Sequence, residues 1–490
     1  MEADEKFGTY LKLRRVVARE SRLARVPSVS FRQGINVAVL ASCNAALAFL
    51  SAWYIVARTG LNVETDAFFA SGALPQLAYL LLSATLLPVL VPLLATRDSE
   101  GLREDAWVFF LLVTGLFVIL GAGLYVTCGA WVPLLVPGFS TEAKELTVAL
   151  SRIQIVSMVL NAGIVTLWAA QHARRRFVWV ELSGVAANLA GLLFLFWALP
   201  RYGIRAAAWN AVFYNGLKLA FMLPVLGRWV RPAWPSATLK EAWRLFKPLL
   251  PGQAYMRAEP LLDRFLASLG GTGSLSLLYV AQQVYANVII VTSKALVAPL
   301  APRLAVEADA GAWQGFRRAY RARLLLIGLL ATAGVSLLLV FGPQALRLAI
   351  GHAGVTTGNV HTLWLVMLAL AGAFAGGVSG QVASGAFYAM GDTKTPTKIS
   401  AVIYTFYLPL KVAVFLGYGL VGLAVTMSSF FVVNFIAQLI LLEGEVSRRQ
   451  QQNHSPASAG RDAVCPQLGQ VCDSMTTPPS NESSTLPSTP

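Results

Sequence analysis

Apolar residues along this chain gather into twelve long runs that polar and basic segments separate. Most runs contain about twenty residues or more, the length at which an α-helix crosses the hydrocarbon core of a bilayer. The pattern therefore predicts an all-α polytopic membrane protein with about twelve transmembrane helices. The predicted spans are residues 34–57, 66–95, 106–127, 146–170, 177–199, 204–227, 248–269, 275–302, 324–342, 360–388, 399–416 and 420–442.

The second run is unusual because polar and helix-breaking residues interrupt it. Two carboxylates, Glu64 and Asp66, stand at its start, and Gly72, Pro75, Pro88 and Pro92 follow. A helix that only anchors a protein needs none of these residues, whereas one that bends or lines a water-filled cavity can use all of them. We therefore expect the bundle to surround a cavity that this segment lines.

The composition agrees with a membrane protein and decides how the charge is interpreted. Of the 490 residues, 56% are hydrophobic and only 13% are charged, against about 25% charged residues in soluble domains. The net charge of +15 could suggest nucleic acid, but the basic residues lie mostly in short segments between the runs, where they orient the spans. We expect no nucleic-acid partner. The first 33 residues are basic and polar and lack the apolar core of a cleavable signal peptide.

Basic residues alternate between the two sides of the predicted bundle. With the N-terminus placed in the cytoplasm, the inner segments contain 28 of the 39 lysines and arginines, and the outer segments contain 5. This bias supports the span count and predicts that both termini are cytoplasmic.

Two six-helix halves are the expected domain organisation. Residues 67–95 and 277–305 align weakly, and this offset pairs the second span with the eighth. Such repeats are common in transporters, whose substrate sites lie between the repeats. The expected division is a basic cytoplasmic N-terminal segment (1–33), an N-lobe (34–227), a cytoplasmic linker (228–247), a C-lobe (248–442) and a disordered cytoplasmic tail (443–490). Pseudo-two-fold symmetry would relate the lobes around a central cavity.

Six basic residues lie inside predicted spans, where facing lipid at the bilayer centre costs roughly 2.5–3.5 kcal/mol or more. They are Arg152, Lys218, Arg257, Arg264, Lys294 and Lys411. Arg152 and Lys411 are near span ends, so we expect them to extend towards the lipid headgroups. Lys218 and Lys294 are deeper and are expected to line the cavity.

The seventh span is the most polar, because Arg257, Glu259, Asp263 and Arg264 all lie within it and prolines interrupt it. One interpretation is an internal set of ion pairs that fixes the junction between the halves. The other is a cavity wall that presents cations to an anionic substrate, with Glu259 and Asp263 available for protons or sodium. Surplus positive charge in a cavity suits a phosphate or pyrophosphate group.

Several function classes lack support in the sequence. No segment between spans exceeds about twenty residues, and no phosphate-binding Gly-rich loop is present, so we expect a protein that is not an enzyme. The four cysteines have no metal-binding or redox spacing, and the four histidines are scattered. We predict no metal site and no cofactor.

Two stretches show a resemblance to a known family. IVARTG followed by ETDAFFASGALPQL (55–77) resembles the first-to-second-span region of the MurJ/MviN lipid II flippases, and GAFYAMGDTKTPTKIS (385–400) is similar to their motif between spans 10 and 11. GLKLAFMLP (216–224) also resembles their sixth span. The resemblance extends thinly from about residue 34 to 442 and includes the wider superfamily of polysaccharide and drug exporters.

This resemblance implies a fold, an activity and site residues. It implies two six-helix lobes around a central cationic cavity. It also implies an alternating-access mechanism, in which the cavity opens to one side of the membrane at a time and an undecaprenyl-pyrophosphate-linked saccharide is flipped outward. Arg58 and Asp66 match the family's functional arginine and aspartate. Asp392, Lys394 and Pro396 match the loop motif, which could also act only by capping and closing the helices beside it.

The chain also departs from the family. Ala78 and Tyr79, and then Gln282 and Gln283, stand where the family has charged residues, and its first-span arginine falls at Ser51 or Ala52. The family has fourteen spans, and only twelve are predicted here. We hypothesise that Lys218, Arg257, Arg264 and Lys294 restore the positive charge of the cavity.

The sequence therefore predicts a flippase for a lipid II-type peptidoglycan precursor in the bacterial cytoplasmic membrane. The alternatives are a flippase for a lipid-linked exopolysaccharide or O-antigen unit, an ion-coupled drug exporter of the same superfamily, or a scaffold that no longer transports. The expected partners are a lipid-linked anionic saccharide and membrane lipids, and the oligomeric state is open. Coupling to the membrane potential, H⁺ or Na⁺ is compatible with the sequence.

Overall fold

The protein is described by a computed structural model that covers residues 31–229, 237–350 and 357–454. Over these residues the regular secondary structure is helical, with no strand, so the predicted all-α class is confirmed. The α-helices are α1 (Phe31–Thr59), α2 (Val63–Ser71), α3 (Ala73–Ala95), α4 (Ser99–Val126), α5 (Cys128–Leu135), α6 (Thr141–Ala173), α7 (Phe177–Tyr202), α8 (Ile204–Met222), α9 (Ala237–Phe246), α10 (Leu250–Arg257), α11 (Glu259–Leu269), α12 (Ser274–Thr292), α13 (Leu300–Asp309), α14 (Trp313–Ile350), α15 (Thr357–Ala389) and α16 (Lys394–His454).

Nine helical stretches of the described chain are long and apolar enough to cross a membrane. The sequence predicted twelve spans, and the difference arises at three places. The sixth predicted span forms α8, and the seventh forms the two short helices α10 and α11; neither is among the nine. The last two predicted spans share α16, inside which Gly419 has a non-helical backbone with φ of 59°.

Local sequence signals explain where the first helices begin and end. Gly60, with φ of 81°, follows α1 and adopts a conformation that glycine tolerates best. Asn62 then caps α2: its Oδ1 accepts hydrogen bonds from the Glu64 and Thr65 N–H groups at 3.0 and 3.1 Å. The Thr65 hydroxyl accepts in turn from the Asn62 N–H at 2.9 Å, which completes a capping box. Gly72 separates α2 from α3, so the interrupted second run becomes two helices.

The described helices pack into two compact units. Of the described residues, the first contains 31–229, 237–287, 338–350, 357–368 and 412–424, and the second contains 288–337, 369–411 and 425–454. The predicted lobes, 34–227 and 248–442, their symmetry and their central cavity stay predictions. The N-terminal segment lies outside the described residues except for its last three, which begin α1.

In the first unit, α6 is the central helix and packs against α2, α3, α4 and α8, while α1 packs on α7. Leu90, Phe109 and Met158 are part of its apolar core. Because lipid tails are as apolar as these side chains, close packing and hydrogen bonds between helices hold such helices together. One of these bonds joins α7 to α1, where Asn188 Nδ2 donates to Asn44 Oδ1 at 2.5 Å.

In the second unit, the structure corrects two predictions. Lys411 was expected to reach the headgroups, but its side chain is fully buried and its ammonium lies 5.0 Å from the centroid of the Tyr407 ring. An aromatic face offsets part of the cost of removing the charge from water, so the side chain can stay inside. Arg152, by contrast, is exposed, as expected, with its guanidinium over the Tyr125 ring.

The predicted disordered tail is the second correction, because α16 continues through residues 443–454. Glu443 forms ion pairs with Arg317 at 3.2 Å and with Arg321 at 2.8 Å, which fix this end of the helix against α14. A pair between Arg449 and Glu445 at 2.8 Å supports the last turns. Residues 455–490 lie outside the described part of the chain.

Close packing of α15 on α16 yields a first testable prediction. A Cβ atom at Gly376 would lie 2.6 Å from the Phe431 carbonyl carbon and 2.6 Å from the Val432 nitrogen. Backbone atoms cannot move aside as a side chain can, so Gly376→Ala is expected to destabilise the protein by about 2 kcal/mol. Thermal unfolding in detergent measures the effect. Gly380→Ala is the matched control one turn further on, because nothing lies within 4 Å of that Cβ position; an equal loss in both variants would contradict the prediction.

Candidate functional site

A cavity of 370 Å³ lies within the first unit, among residues of α2, α3, α6, α8 and α12. Its wall combines aromatic rings, side-chain amides and one ammonium group. The rings are those of Phe68, Phe69, Tyr79, Tyr214 and Tyr279, the amides belong to Gln76, Gln154, Asn161 and Asn215, and the ammonium belongs to Lys218. None of the described residues that line it is a carboxylate.

Lys218 is the charged group of this cavity. Its Nζ lies 3.5 Å from the Tyr214 hydroxyl, to which it donates, and 5.5 Å from the centroid of the Trp168 ring. The Tyr214 ring is 5.8 Å away. Aromatic faces and a hydroxyl stabilise an ammonium without cancelling its charge. Lys218 can therefore attract an anionic group that enters the cavity.

Asn215 lies beside Lys218 on α8, and only 4% of it is exposed. Its Nδ2 donates to the Ser157 hydroxyl at 2.7 Å and to the Ala211 carbonyl at 2.9 Å. Among the described residues, its Oδ1 has no hydrogen-bond partner. A buried acceptor without a partner costs free energy, which a ligand hydroxyl or a water molecule can recover.

Lys218 was predicted from the sequence, but the polar groups around it were not. Residues 211, 214, 215 and 218 recur at the spacing of one helical face on α8, and residues 154, 158 and 161 do so on α6. Amides on one face of an apolar helix mark the side that avoids lipid. This periodicity could have identified Gln154, Asn161, Tyr214 and Asn215 from sequence.

Asp66 lies outside this cavity and fixes the start of α12. Its carboxylate accepts hydrogen bonds from the Gly273 N–H at 2.5 Å, the Ser276 N–H at 2.7 Å and the Ser276 hydroxyl at 2.5 Å. Only 2% of the residue is exposed. A carboxylate at this position accepts hydrogen bonds from N–H groups that the first turn of a helix leaves without a partner. Its negative charge also interacts favourably with the positive end of the helix dipole.

The charged residues of the seventh predicted span take different positions. Arg257 is half-buried at the end of α10, and its Nε donates to Gln253 Oε1 at 3.1 Å. Glu259 begins α11. Asp263 is buried and accepts from Gln282 Nε2 at 2.7 Å. Gln282 is one of the positions at which the chain departs from the resembled family.

Arg264 lies directly behind the wall of the cavity. Its guanidinium is 5.0 Å from the centroid of the Tyr279 ring, and that ring stacks on Phe69 at 4.0 Å and lines the cavity. Only 4% of Arg264 is exposed, and its Nε and Nη1 have no hydrogen-bond partner among the described residues. One aromatic ring therefore separates this buried cation from the cavity.

The two remaining cationic candidates are exposed. Arg58 lies in the last turn of α1, and Lys294 lies in the π-helical turn Ser293–Val297 that follows α12. Within the described chain, Lys218 is thus the one predicted cation that lines the 370 Å³ cavity, and Arg264 is next to it. The binding roles assigned to Arg58, Asp66, Arg257, Arg264 and Lys294 stay predictions.

The loop motif caps a helix. Asp392 Oδ1 accepts hydrogen bonds from the Lys394 and Thr395 N–H groups at 3.0 and 3.1 Å, at the start of α16. Pro396 is buried in the first turn of that helix, where its missing N–H has no intrahelical partner to lose. Burial alone would raise the pKa of the Asp392 carboxyl, but hydrogen bonds from Thr395 and Lys394 outweigh it and lower this pKa below its usual range.

This cap gives a second testable prediction. Because the pKa of Asp392 is lower in the folded protein, its stabilisation is present above the unfolded pKa of about 3.9 and is lost as the pH falls through the folded value. Asp392→Ala is therefore expected to lower stability by about 1 kcal/mol at pH 7. Unfolding midpoints measured at several pH values should show the difference from wild type shrinking below about pH 4. Asp392→Asn can still cap the helix but does not titrate. If the difference in unfolding midpoint between this variant and Asp392→Ala changed with pH, titration of Asp392 would not be the cause of the pH dependence.

The fold and the site together define a class of protein. Many apolar helices cross the membrane, and a polar cavity with one cation lies inside the bundle, which is the arrangement of a membrane transporter. Residues 55–455 match the model of the family described as "Lipid II flippase MurJ". The chain belongs to this family.

Known relatives agree with the assignment. The chain is 23% identical over 454 residues to a probable lipid II flippase MurJ of Vibrio cholerae, covering 84% of this chain and 83% of the relative. A solved structure titled "Lipid II flippase MurJ, inward closed conformation" is 16% identical, with a TM-score of 0.71 over 85% of this chain and 90% of the other.

A multidrug resistance MATE family transporter of the MOP superfamily, solved in an inward-facing conformation, has the same fold. It is also 16% identical and has a TM-score of 0.67 over 85% of this chain and 99% of the other. At this identity, likeness between structures concerns the fold alone.

Proposed function

We propose that this protein flips an undecaprenyl-pyrophosphate-linked peptidoglycan precursor of the lipid II type across the bacterial cytoplasmic membrane. Membership of the lipid II flippase MurJ family supports the class of cargo. The observation that supports the site is Lys218, a cation inside a membrane-spanning unit within a cavity that has no carboxylate in its described lining. We propose that this cavity binds part of the cargo headgroup while the transporter alternates in access.

The cavity offers each kind of contact that such a headgroup needs. Lys218 attracts a phosphate oxygen as a point charge. The amides of Gln76, Gln154 and Asn161 can donate to and accept from sugar hydroxyls, and the free Oδ1 of Asn215 can accept one more hydrogen bond. Aromatic rings present flat faces to the apolar side of a sugar ring. A volume of 370 Å³ is near the lower end of the range of small-molecule sites, so it suits part of the headgroup.

Further residues complete the proposal. Arg264 adds positive charge behind Tyr279, and Arg58, Arg257 and Lys294 are the remaining cationic candidates. The energy source proposed first is the membrane potential, which supplies about 2.3 kcal/mol per charge for each 100 mV. Glu259 and Asp263 are candidates for coupling to H⁺ or Na⁺. Both termini of the chain are proposed to lie in the cytoplasm.

The drug-exporter alternative receives less support from the cavity. A fixed lysine repels an organic cation, and the described lining of this cavity contains a lysine and no carboxylate that would offset it. A flippase for another lipid-linked glycan would use the same contacts, so the glycan must be identified directly.

The deciding experiment is depletion of the protein in its host, followed by quantification of the polyprenyl-linked intermediates on the inner leaflet. Accumulation of the lipid-linked peptidoglycan precursor is the expected result. Accumulation of a different glycan would transfer the protein to exopolysaccharide export, and unchanged precursor pools would refute the proposal.

A further inference from the structure

Three consecutive arginines form the turn between α6 and α7, beside a pocket of 350 Å³ in the first unit. Its lining consists of two basic residues, Arg175 and Arg176, and four apolar ones, Val37, Phe177, Val178 and Trp179. The pocket is separate from the Lys218 cavity, since the two share no lining residue.

The backbone of this turn is unusual for its sequence. Arg175 has φ of 58°, and it is the one non-glycine residue of the described chain with a positive φ. The Arg175 N–H donates to the His172 carbonyl at 2.9 Å, and the Arg176 N–H donates to the Gln171 carbonyl at 2.9 Å. This is the helix-ending motif whose left-handed position usually holds glycine. The positive-inside rule explains basic residues in this turn, but it does not require an arginine at the strained position.

Positive charges are crowded together here. The Arg174 guanidinium is held in place because its Nη1 donates to the Val225 carbonyl at 3.1 Å. Burial and the neighbouring guanidinium groups of Arg103 and Arg176 lower the pKa of Arg174. The six residues that line the pocket include no carboxylate. The fold thus holds like charges together at a place where an anion would relieve their repulsion.

The four apolar residues of the lining belong to membrane-spanning helices. Val37 lies on α1, and Phe177, Val178 and Trp179 form the first turn of α7; both helices are apolar and long enough to cross a membrane. Trp179 is 42% exposed, and its Nε1 donates to the Phe221 carbonyl at 3.1 Å. Tryptophan in this half-polar setting is typical of the membrane–water interface. The α7 N-terminus, which has no side-chain cap, adds the positive end of a helix dipole.

We propose that this pocket binds an anionic phospholipid, with the phosphate at Arg175 and Arg176 and an acyl chain along Val37 and Trp179. Arginine pairs with phosphate oxygens through two N–H groups, which suits a phosphodiester. The apolar part of the lining selects a lipid over free phosphate. The two positive charges of the pocket favour lipids with a net negative charge, such as phosphatidylglycerol, over zwitterionic lipids. This site is independent of the flippase proposal, because it contains none of the residues of the Lys218 cavity.

The test uses the full-length protein in a neutral detergent, with its unfolding midpoint measured during titration with dioleoylphosphatidylglycerol. The test variant is R175G/R176Q, since glycine removes both the charge and the backbone strain at position 175. Removing two basic groups near a phosphate is expected to weaken the apparent lipid affinity at least tenfold. R175K/R176K retains the charge and should lose less affinity. R318A/K398A removes two exposed basic residues elsewhere and should bind like the wild type.

Two further titrations distinguish the possible sources of phosphate. Dioleoylphosphatidylethanolamine and inorganic phosphate are each expected to leave the midpoint unchanged. The proposal is overturned if R175G/R176Q retains the wild-type response to dioleoylphosphatidylglycerol, or if inorganic phosphate alone reproduces that response. It is also overturned if undecaprenyl pyrophosphate requires the two arginines while dioleoylphosphatidylglycerol does not.

Discussion

Replacing Lys218 with glutamine is expected to reduce precursor transport about thirtyfold while leaving the protein folded and inserted. A hydrogen bond between charged groups contributes about 2 kcal/mol to binding, and no other lysine or arginine of the described chain lines this cavity. Glutamine preserves most of the side-chain volume and stays polar, so the main quantity lost is the charge. Flipping of a lipid-linked precursor in reconstituted vesicles measures the change.

Two control variants make the Lys218 result specific. Lys218→Arg retains the positive charge and should retain most of the activity, although the larger guanidinium must fit beside Trp168. Arg152→Gln removes another cation from a predicted span, but Arg152 is exposed and its guanidinium lies over Tyr125. This control should be close to wild type. Full activity in Lys218→Gln, or an equal loss in Arg152→Gln, would show that the cavity does not use its charge.

Asp66→Ala is expected to cost on the order of 3 kcal/mol of folding stability, because three buried donors lose their acceptor together. The Gly273 and Ser276 N–H groups and the Ser276 hydroxyl all point at this carboxylate. Only 2% of Asp66 is exposed, so the three donors lie in a largely buried setting, where a lost hydrogen bond costs more than at the surface. Thermal unfolding of the detergent-solubilised protein should therefore show a large drop in the midpoint.

A graded series separates the role of Asp66 from a general effect of acidic residues. Ser276→Ala removes one of the three hydrogen bonds, so a loss of about 1 kcal/mol is expected. Glu64→Ala removes an exposed carboxylate from the same helix and should change stability by less than about 0.5 kcal/mol. If Asp66→Ala is as stable as Glu64→Ala, the carboxylate does not hold the start of α12.

Helices were predictable because their signal is local. Long apolar runs, the Asn62 cap and the glycine at position 60 lie within a few residues of the structure that they determine. The location of the Lys411 side chain was predicted wrongly because its burial results from packing between helices. The position of a residue within an apolar run does not reveal that packing. The polar end of α16 was assigned to the tail for a similar reason: Glu443 is stabilised by Arg317 and Arg321, more than a hundred residues earlier.

The site was predictable in part. Lys218 was identified because a cation in an apolar run is costly anywhere except at a polar surface. The cavity around it brings together residues as far apart as Phe68 and Tyr279, and no local pattern joins them. Asp66 was assigned to the site by resemblance, and only the fold shows that its carboxylate accepts hydrogen bonds from Gly273 and Ser276. Sequence thus indicated which residues are unusual, and the fold was needed to show what each one contacts.

The π-helical turn after α12 has a consequence for comparing this chain with its relatives. The Ala298 N–H donates to the Ser293 carbonyl at 2.9 Å, five residues back, so this turn holds one residue more than an α-helical turn. Each added residue rotates the following side chains by about 100°. A relative whose helix is regular here is expected to be one residue shorter between Ser274 and Asp309. An ungapped alignment would then assign every side chain after Val297 to the wrong neighbour.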